Sequence, residues 1–518
     1  MNGAEALIAT LVRSGIELCF ANPGTSEMQL VAAIDKVPGM RPVLALYEGV
    51  VTGAADGYAR IAGKPACTLL HLGPGLANGA SNLHNARKAN SPVINVVGDH
   101  ATYHAQYDAP LTADVEGIAR PVSHWVKTSP DAAALAADGA EAAAVAGTVP
   151  GRVATLIAPA DAAWTELPAD YVLPEVRPLA PLPQVDAAAV VRVAAAIRAA
   201  KNPLLLLGGA ALVGTALEDA GKLAAHLGLR LHAETFNRRI QRGEGRVPVV
   251  LVPYRGEAAL ELLEGIDLMV LVGAKRPVAF FAYPEKPSVL VPDGCEVMPF
   301  AAPQDDVPHA LAALVEALGA GTAAGPRQAL RLPDLPSGSL DAQKLAACVA
   351  RHIPDNAIVV DESITGSLPA QMATMGARAH DWLQLCGGSI GNGLPLAVGA
   401  ALAAPARKVL CLEGDGSGMY TVQSLWTMAR EQLDVIAIVY ANASYAILNF
   451  EFDRVGGGKP GPRARSMLDI GDPVLDWVQL AQGMGVNAAR AVTAEELDAL
   501  LAKMVHEPGP HLIEAVLG

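Results

Sequence analysis

"KVLCLEGDGSGMYTVQSLWTMAREQLDVIAIVYAN" (408–442) decides how the C-terminal third of the chain folds. Its first five residues, KVLCL, are a short apolar run of the kind that makes a buried strand. TVQSLWTMAREQ (421–432) places Val422, Leu425, Trp426 and Ala429 on one helical face, and DVIAIVYAN (434–442) is strand-like again. That is a β-α-β unit, and its right-handed crossover makes the two strands parallel. Asp415 and Asn442 then both lie at carboxyl ends, where open α/β sheets bind ligands. Taken alone, Gly414-Asp415-Gly416 is an ordinary turn.

Twenty-five residues, 417–441, separate Gly416 from Asn442. A carboxylate from Asp415, an amide oxygen from Asn442 and a nearby main-chain carbonyl form a hard oxygen set suited to Mg2+, which usually takes further ligands from a substrate's phosphates. Gly416, Ser417 and Gly418, at a helix start, offer backbone N–H groups to those phosphates.

With 518 residues the chain has room for about three domains. It is 52% hydrophobic and 17% charged, which predicts a globular protein rather than a disordered one. A net charge of -14 argues against nucleic acid or an anionic membrane as the main partner. The six cysteines (Cys19, Cys67, Cys295, Cys348, Cys386 and Cys411) form no C-x-x-C pair, so neither a disulfide framework nor a zinc site is expected. The N-terminus reads as an amphipathic helix without signal-peptide layout. A long charge-free stretch, 382–406, is broken by Gln384, Ser389, Asn392 and Pro395 and reads as a loop plus a buried helix rather than a membrane span. The expected location is the cytoplasm.

Pro-rich passages at 167–184 and 321–339 divide the chain into segments 1–166, 185–320 and 340–518. Each alternates strand-like runs with Ala-rich helical patterns, which predicts three consecutive parallel-sheet α/β domains. In the middle segment "NPLLLLGGAALVG" (202–214) is similar to a nucleotide-binding turn, but Gly208, Gly209 and Gly214 miss the G-x-G-x-x-G spacing. A structural Rossmann-like domain is the favoured reading there.

In the first segment "PVLALYEGVVTGAADGYAR" (42–60) runs from a strand into a helix with Glu48 at the junction. An acid at a helix N-terminus is stabilised by the helix dipole whatever its function. Here Leu44, Leu46, Val50 and Val51 surround it, a setting in which a carboxyl shares a proton with a weak base.

Five motifs together, "NPGTSE" (22–27), "EGVVTGAADGYAR" (48–60), "LHLGPG" (70–75), "GGSIGNGLP" (387–395) and the GDG–Asn pair, resemble in order and spacing the thiamin diphosphate enzymes of the pyruvate decarboxylase, benzoylformate decarboxylase and acetohydroxyacid synthase group. The resemblance covers essentially the whole chain, and the motif spelling is closest to benzoylformate decarboxylase. It implies a pyrimidine-binding domain at 1–166, a central Rossmann-like domain at 185–320 and a diphosphate- and Mg2+-binding domain at 340–518. Glu48 matches the glutamate that hydrogen-bonds N1′ of the cofactor's aminopyrimidine, favouring the tautomer whose 4′-nitrogen removes the C2 proton. Ile390 matches the residue that wedges the cofactor into its bent shape, and the Gly388 carbonyl would hold the 4′-amino group. Thr365, in "DESITGS" (361–367), matches a diphosphate contact. Gly414, Gly416, Ser417, Gly418, Asn442 and Tyr445 complete the cofactor set, with Asp415, Asn442 and Ser444 on the metal. The family's usual Asn-Asn reads Ala441-Asn442 here, and Asn442 matches the metal-binding member.

His71 matches the active-site histidine of benzoylformate decarboxylase, and Thr25 stands where that enzyme has a serine. Its second histidine falls in "PVAFFAYPEKP" (277–287), near Phe281, a departure that weakens the case for benzoylformate itself. His100 and His104, in "VVGDHATYHAQ" (96–106), do not reproduce the pyruvate decarboxylase pair and read as rim residues. The resemblance therefore implies decarboxylation of a small-molecule 2-oxoacid, carboligation of the product to a carbonyl acceptor, or both. An acetolactate-synthase-like condensation of two 2-oxoacids is the alternative, with FAD as an additional but not favoured cofactor. A decayed cofactor-binding scaffold is the third reading, and intact Glu48, Asp415 and Asn442 speak against it. The family also implies a homodimer or homotetramer with active sites between subunits.

Overall fold

The computed structural model describes all residues, Met1–Gly518, and contains three sheets in succession. The first holds β1 (Leu18–Asn22), β2 (Arg41–Leu44), β3 (Ala66–Leu70), β4 (Val93–Asp99), β5 (Trp125–Thr128) and β6 (Val153–Pro159). All its pairings are parallel, in the order β2-β1-β3-β4-β6-β5. The second holds β7 (Pro203–Leu207), β8 (Arg230–Ala233), β10 (Val250–Leu251), β11 (Leu268–Val272) and β12 (Glu296–Ala301), ordered β10-β8-β7-β11-β12. Apolar runs such as LLLL, buried along the whole strand, are what a sheet covered on both faces requires. Residues 168–186 and 321–341 connect the three layers almost without regular structure, as their proline content predicts.

The third sheet holds β13 (Ala357–Glu362), β14 (His380–Gln384), β15 (Val409–Gly414), β16 (Val435–Ala441), β17 (Asn487–Ala491) and β18 (His511–Val516). Its edge carries one strand from the middle segment, β9 (Ile240–Arg242), antiparallel to β14, so the order runs β17-β18-β16-β15-β13-β14-β9. β15 and β16 are adjacent and parallel, with Gly414 opposite Tyr440. The helix between them spans Ser424–Arg430; its Leu425 and Met428, with Val422 just before it, join the apolar core. Trp426 departs from the expected stripe: it is half-buried under the Arg430 guanidinium, 5.2 Å from the ring centroid.

One apolar cluster runs from the first sheet into the third. It is centred on the helix Glu48–Ala62 packed against the helix Gly393–Ala403. Small residues make that crossing possible: a methyl at Gly57 would lie 2.1 Å from the Leu396 carbonyl oxygen, and one at Gly399 would lie 1.9 Å from that of Ala54. Overpacking there costs about 1–3 kcal/mol or more. Arg60, fully buried, closes the crossing with a bidentate pair to Asp56 at 2.8 and 2.6 Å, and its Nη1 donates to the Gln384 carbonyl. No helix is long and apolar enough to cross a membrane, and residues 393–401 are all buried.

Candidate active site

At the carboxyl end of β15 the chain turns into a four-residue helix, Asp415–Gly418. The Asp415 carboxylate spans two strand ends: Oδ1 accepts from Gly416 N at 2.8 Å and Oδ2 from Ala443 N at 2.6 Å, just past β16. Burial pushes this carboxyl up from its usual range, and the backbone N–H groups oppose that shift. Asn442 Oδ1 accepts from Ser444 N at 2.9 Å, which folds the Asn442–Ser444 turn over the carboxylate. A Cβ on Gly416 would meet the Tyr445 ring at 2.5 Å, and one on Gly418 the Trp477 ring at 2.8 Å, so both glycines are demanded by close approach.

Three non-glycine residues adopt positive φ beside expected site residues: Leu72 (52°) after His71, Ile364 (53°) before Thr365 and Ala443 (54°) after Asn442. For a β-branched residue such as Ile364 this conformation is strained, on the order of 1–3 kcal/mol, and such strain gathers at functional sites.

The loop 387–392 between β14 and the next helix carries Gly388 and Ile390. Gly388 (φ 76°) and Gly391 (φ 89°) turn it, leaving Ile390 half-buried between them. No donor of the chain reaches the Gly388 carbonyl oxygen, so that acceptor is available to a ligand. The Phe280 ring lies where a Gly388 Cβ would be, 2.6 Å from that position. Phe281, at the place of the missing histidine, is 52% exposed and packs edge-on against Phe280 at 4.8 Å.

Two residues that the motif reading missed hold this loop and the turn at Asp415 to neighbouring strands. Glu362 and Glu413 are register partners on β13 and β15, both fully buried. Glu362 accepts from Gly391 N at 2.9 Å, from Asn392 N at 2.8 Å and from Gly393 N, while Glu413 accepts from Ser417 Oγ at 2.6 Å. Burial pushes the Glu362 carboxyl up to about 7 and the Glu413 carboxyl well above the usual carboxylate range, where the neighbouring Glu362 raises it further. The sequence signal was the Glu directly before Gly414 and the Glu inside DESITGS.

In the first sheet Glu48 opens its helix, 8% exposed, with Oε2 accepting from Asn78 Nδ2 at 3.0 Å. Oε1 has no partner in the chain; Gly75 leaves room for it, since a Cβ there would stand 3.2 Å away. His71 is oriented by Glu27, a fully buried residue that sequence reasoning passed over: Nδ1 lies 2.8 Å from Glu27 Oε2. That carboxylate also accepts from Gly24 N at 2.8 Å and from Ser26 Oγ at 2.6 Å. A carboxylate acceptor places the proton on Nδ1 and leaves Nε2 of neutral His71 as the free base. The hydroxyl facing His71 is Ser26, 3.3 Å from Nδ1; Thr25 is exposed and its hydroxyl has no partner. His104 is exposed and its ring lies 5.5 Å from that of half-buried His100, away from this network.

The profile of the N-terminal TPP binding domain of thiamine pyrophosphate enzymes matches residues 1–134, and that of the C-terminal TPP binding domain matches residues 377–515. A Mycobacterium tuberculosis protein, "Putative acetolactate synthase large subunit IlvX", is 51% identical over the whole chain and 99% of its own length. The chain belongs to the thiamine pyrophosphate enzyme family. Benzoylformate decarboxylase from Pseudomonas aeruginosa is 30% identical over 97% of this chain and 96% of that protein. Among solved structures, the thiamine diphosphate-dependent 4-hydroxybenzoylformate decarboxylase of Rhodococcus jostii RHA1 superposes with a TM-score of 0.85 over 100% of this chain and 99% of that one, at 24% identity. In this thiamine pyrophosphate enzyme the N-terminal match contains Glu48, His71 and Glu27, and the C-terminal match contains the 387–393 loop, Asp415 and Asn442.

Two cavities bear on how the halves are used. One of about 400 Å³ touches Asp415 and Asn442 and is lined only by residues between 415 and 517. Another, of about 820 Å³, lies at the carboxyl ends of β7, β8 and β11, and neither Glu48 nor Asp415 lines it.

Proposed function

We propose that the protein is a thiamin diphosphate- and Mg2+-dependent enzyme that decarboxylates a 2-oxoacid, joins the retained acyl unit to a carbonyl acceptor, or does both. The observation that carries this reading is the Asp415 carboxylate fixed across the ends of β15 and β16 beside Asn442. These are hard oxygen donors suited to Mg2+. The unused acceptor at the Gly388 carbonyl fits a ligand lying against the backbone. When bound, the cofactor supplies the electron sink that lets a 2-oxoacid lose CO2.

On this reading residues 1–166 are the pyrimidine-binding domain, 185–320 the central domain and 340–518 the diphosphate-binding domain. Asp415, Asn442 and the Ser444 carbonyl hold Mg2+. Gly414, Gly416, Ser417, Gly418, Thr365 and Tyr445 surround the diphosphate, while Gly388 and Ile390 set the aminopyrimidine. Glu48 holds a proton at N1′ through its free Oε1. His71, with Nε2 free and Nδ1 held by Glu27, takes or gives a proton on the substrate, and the neighbouring hydroxyl is that of Ser26 rather than Thr25. On this reading two chains of a cytoplasmic homodimer or homotetramer build each site, which the absence of first-domain residues from the cavity at Asp415 supports. The test is cofactor affinity by calorimetry with and without a chelator, followed by CO2 release from a panel of 2-oxoacids with and without an acceptor aldehyde. Affinity indifferent to the metal, or no turnover of any 2-oxoacid, defeats the proposal.

A second reading, condensation of two 2-oxoacids with FAD also bound, is favoured by the large cavity. It sits where the central strand order reverses between β7 and β11, and its lining includes Lys88, Arg238, Lys275 and Arg276 with Gly209 and Gly273 at positive φ. A flavin spectrum in the purified protein would select this reading; its absence would leave the first.

A further inference from the structure

Asn82 lies on the helix Leu72–Lys88, 1% exposed, between the first and third sheets. Its Nδ2 donates to the Gly49 carbonyl at 2.8 Å and to the Gly391 carbonyl at 3.0 Å. Its Oδ1 accepts from Asn85 Nδ2 at 2.9 Å and Asn392 Nδ2 at 3.0 Å. A side-chain amide has two N–H donors and two acceptor lone pairs, so all four of its bonds are used. Gly49 follows Glu48 and Gly391 follows Ile390. Both glycines are buried, so no water can replace the amide. An aspartate would keep the two acceptor bonds and lose both donor bonds, and a leucine of similar size would lose all four.

We infer that Asn82 is a positioning residue for two catalytic centres at once. This rests on the shared-site reading above, in which Glu48 works with the Asp415 side of a second chain. Glu48 and Ile390 of one chain then serve different centres, and Asn82 ties the acid of one to the wedge loop of the other. A lesion at Asn82 in one chain of a dimer therefore impairs both centres, whereas a lesion at Glu48 or Asp415 impairs one.

The cofactor-free protein gives the first readout. By hydrogen–deuterium exchange mass spectrometry, Asn82→Leu should speed exchange in peptides covering both 47–52 and 387–393, leaving β7 unchanged; acceleration in only one of them, or in neither, overturns the proposal. The second uses tagged heterodimers loaded with thiamin diphosphate and Mg2+, with C2 proton exchange followed by NMR. A heterodimer of wild type with Asn82→Leu should show one slow phase, retarded on the order of 10- to 100-fold as expected for a misplaced catalytic group. A heterodimer of wild type with Glu48→Gln should keep half its amplitude fast. Asn82→Asp should slow both centres too, and if it exchanges like wild type the donor bonds are not the cause. A half-fast amplitude in the Asn82→Leu heterodimer also overturns the inference. Co-expressed Glu48→Gln and Asp415→Asn separate the two failures: no recovery of activity there refutes the shared site itself, while recovery together with half-fast Asn82→Leu refutes only the role of Asn82.

Discussion

Glu48 and Asp415 occupy the same kind of place in two sheets, each the first residue of a helix beyond a parallel strand, yet their carboxylates are held differently. Glu48 takes one side-chain amide, from Asn78, and keeps Oε1 without a partner. Asp415 is held by backbone alone, one N–H on each oxygen. A carboxylate restrained on one oxygen remains able to share a proton through the other. A carboxylate pinned by two backbone amides cannot reorient, and its remaining lone pairs form a fixed face for a cation. The same residue class at the same topological position thus leaves one oxygen free in one half, an arrangement suited to proton sharing, and has both oxygens pinned in the other, an arrangement suited to ion binding.

The largest effect should come from Glu48→Gln, which keeps shape and the Asn78 contact but removes the shared proton. C2 exchange of bound thiamin diphosphate should slow by roughly 10²- to 10⁴-fold, the range for a positioned acid–base group, with affinity retained. Wild-type exchange in this variant breaks the contrast. Asp415→Ala should do the reverse, with Mg2+-dependent cofactor affinity falling by at least about 10- to 100-fold, a range seen even for residues outside the ligand shell. Calorimetry showing equal affinity would mean that the third sheet's carboxylate is structural.

A smaller effect tests Glu27. His71→Ala should lower turnover about 10²-fold, the low end for general acid–base catalysis, with C2 exchange intact. Glu27→Gln should show part of that loss and an altered pH profile, because an amide no longer dictates which imidazole nitrogen carries the proton. Loss of C2 exchange in either variant would reassign the pair to the cofactor.

The smallest effect separates two histidines. His71 is a quarter exposed, whereas His380 on β14 is 3% exposed and burial, with Arg242 nearby, lowers its pKa to about 3. The folded state keeps His380 neutral, while the unfolded chain takes a proton below about 6.5. Its contribution is present above that value and lost as pH falls toward 3, at up to about 1.4 kcal/mol per pH unit. Denaturation midpoints of wild type and His380→Gln should converge or cross in the variant's favour between pH 6.5 and 4. A constant difference would show that the imidazole is not buried in solution.

Asp415 and Asn442 were legible because they terminate neighbouring strands, so a periodicity argument alone brings them together. Glu48 stood out as an acid at a strand-to-helix junction among apolar neighbours, whereas His71 and Ile390 were reachable only through motif resemblance, since nothing local distinguishes Ile390 from a core residue. Glu362 and Asn82 escaped because they act on backbone groups supplied by distant loops, Glu27 because the ring it holds lies 44 residues away, and Glu413 because its place beside Glu362 depends on strand register; no spacing encodes these. Thr25 and Ser26 are adjacent, and a short 3₁₀ turn at Thr25–Glu27 decides which hydroxyl faces His71. The three residues of β9 are too few for any alternation to announce a strand.

That short strand sets a limit on modularity. Ile240 pairs with Trp382 and Arg242 stacks 4.9 Å from its ring, covering a flank of β14 that would otherwise offer unpaired amides to another chain. A fragment cut at 340 would lose this cover, so transplanting the C-terminal domain calls for residues 240–242 to travel with it as a grafted edge.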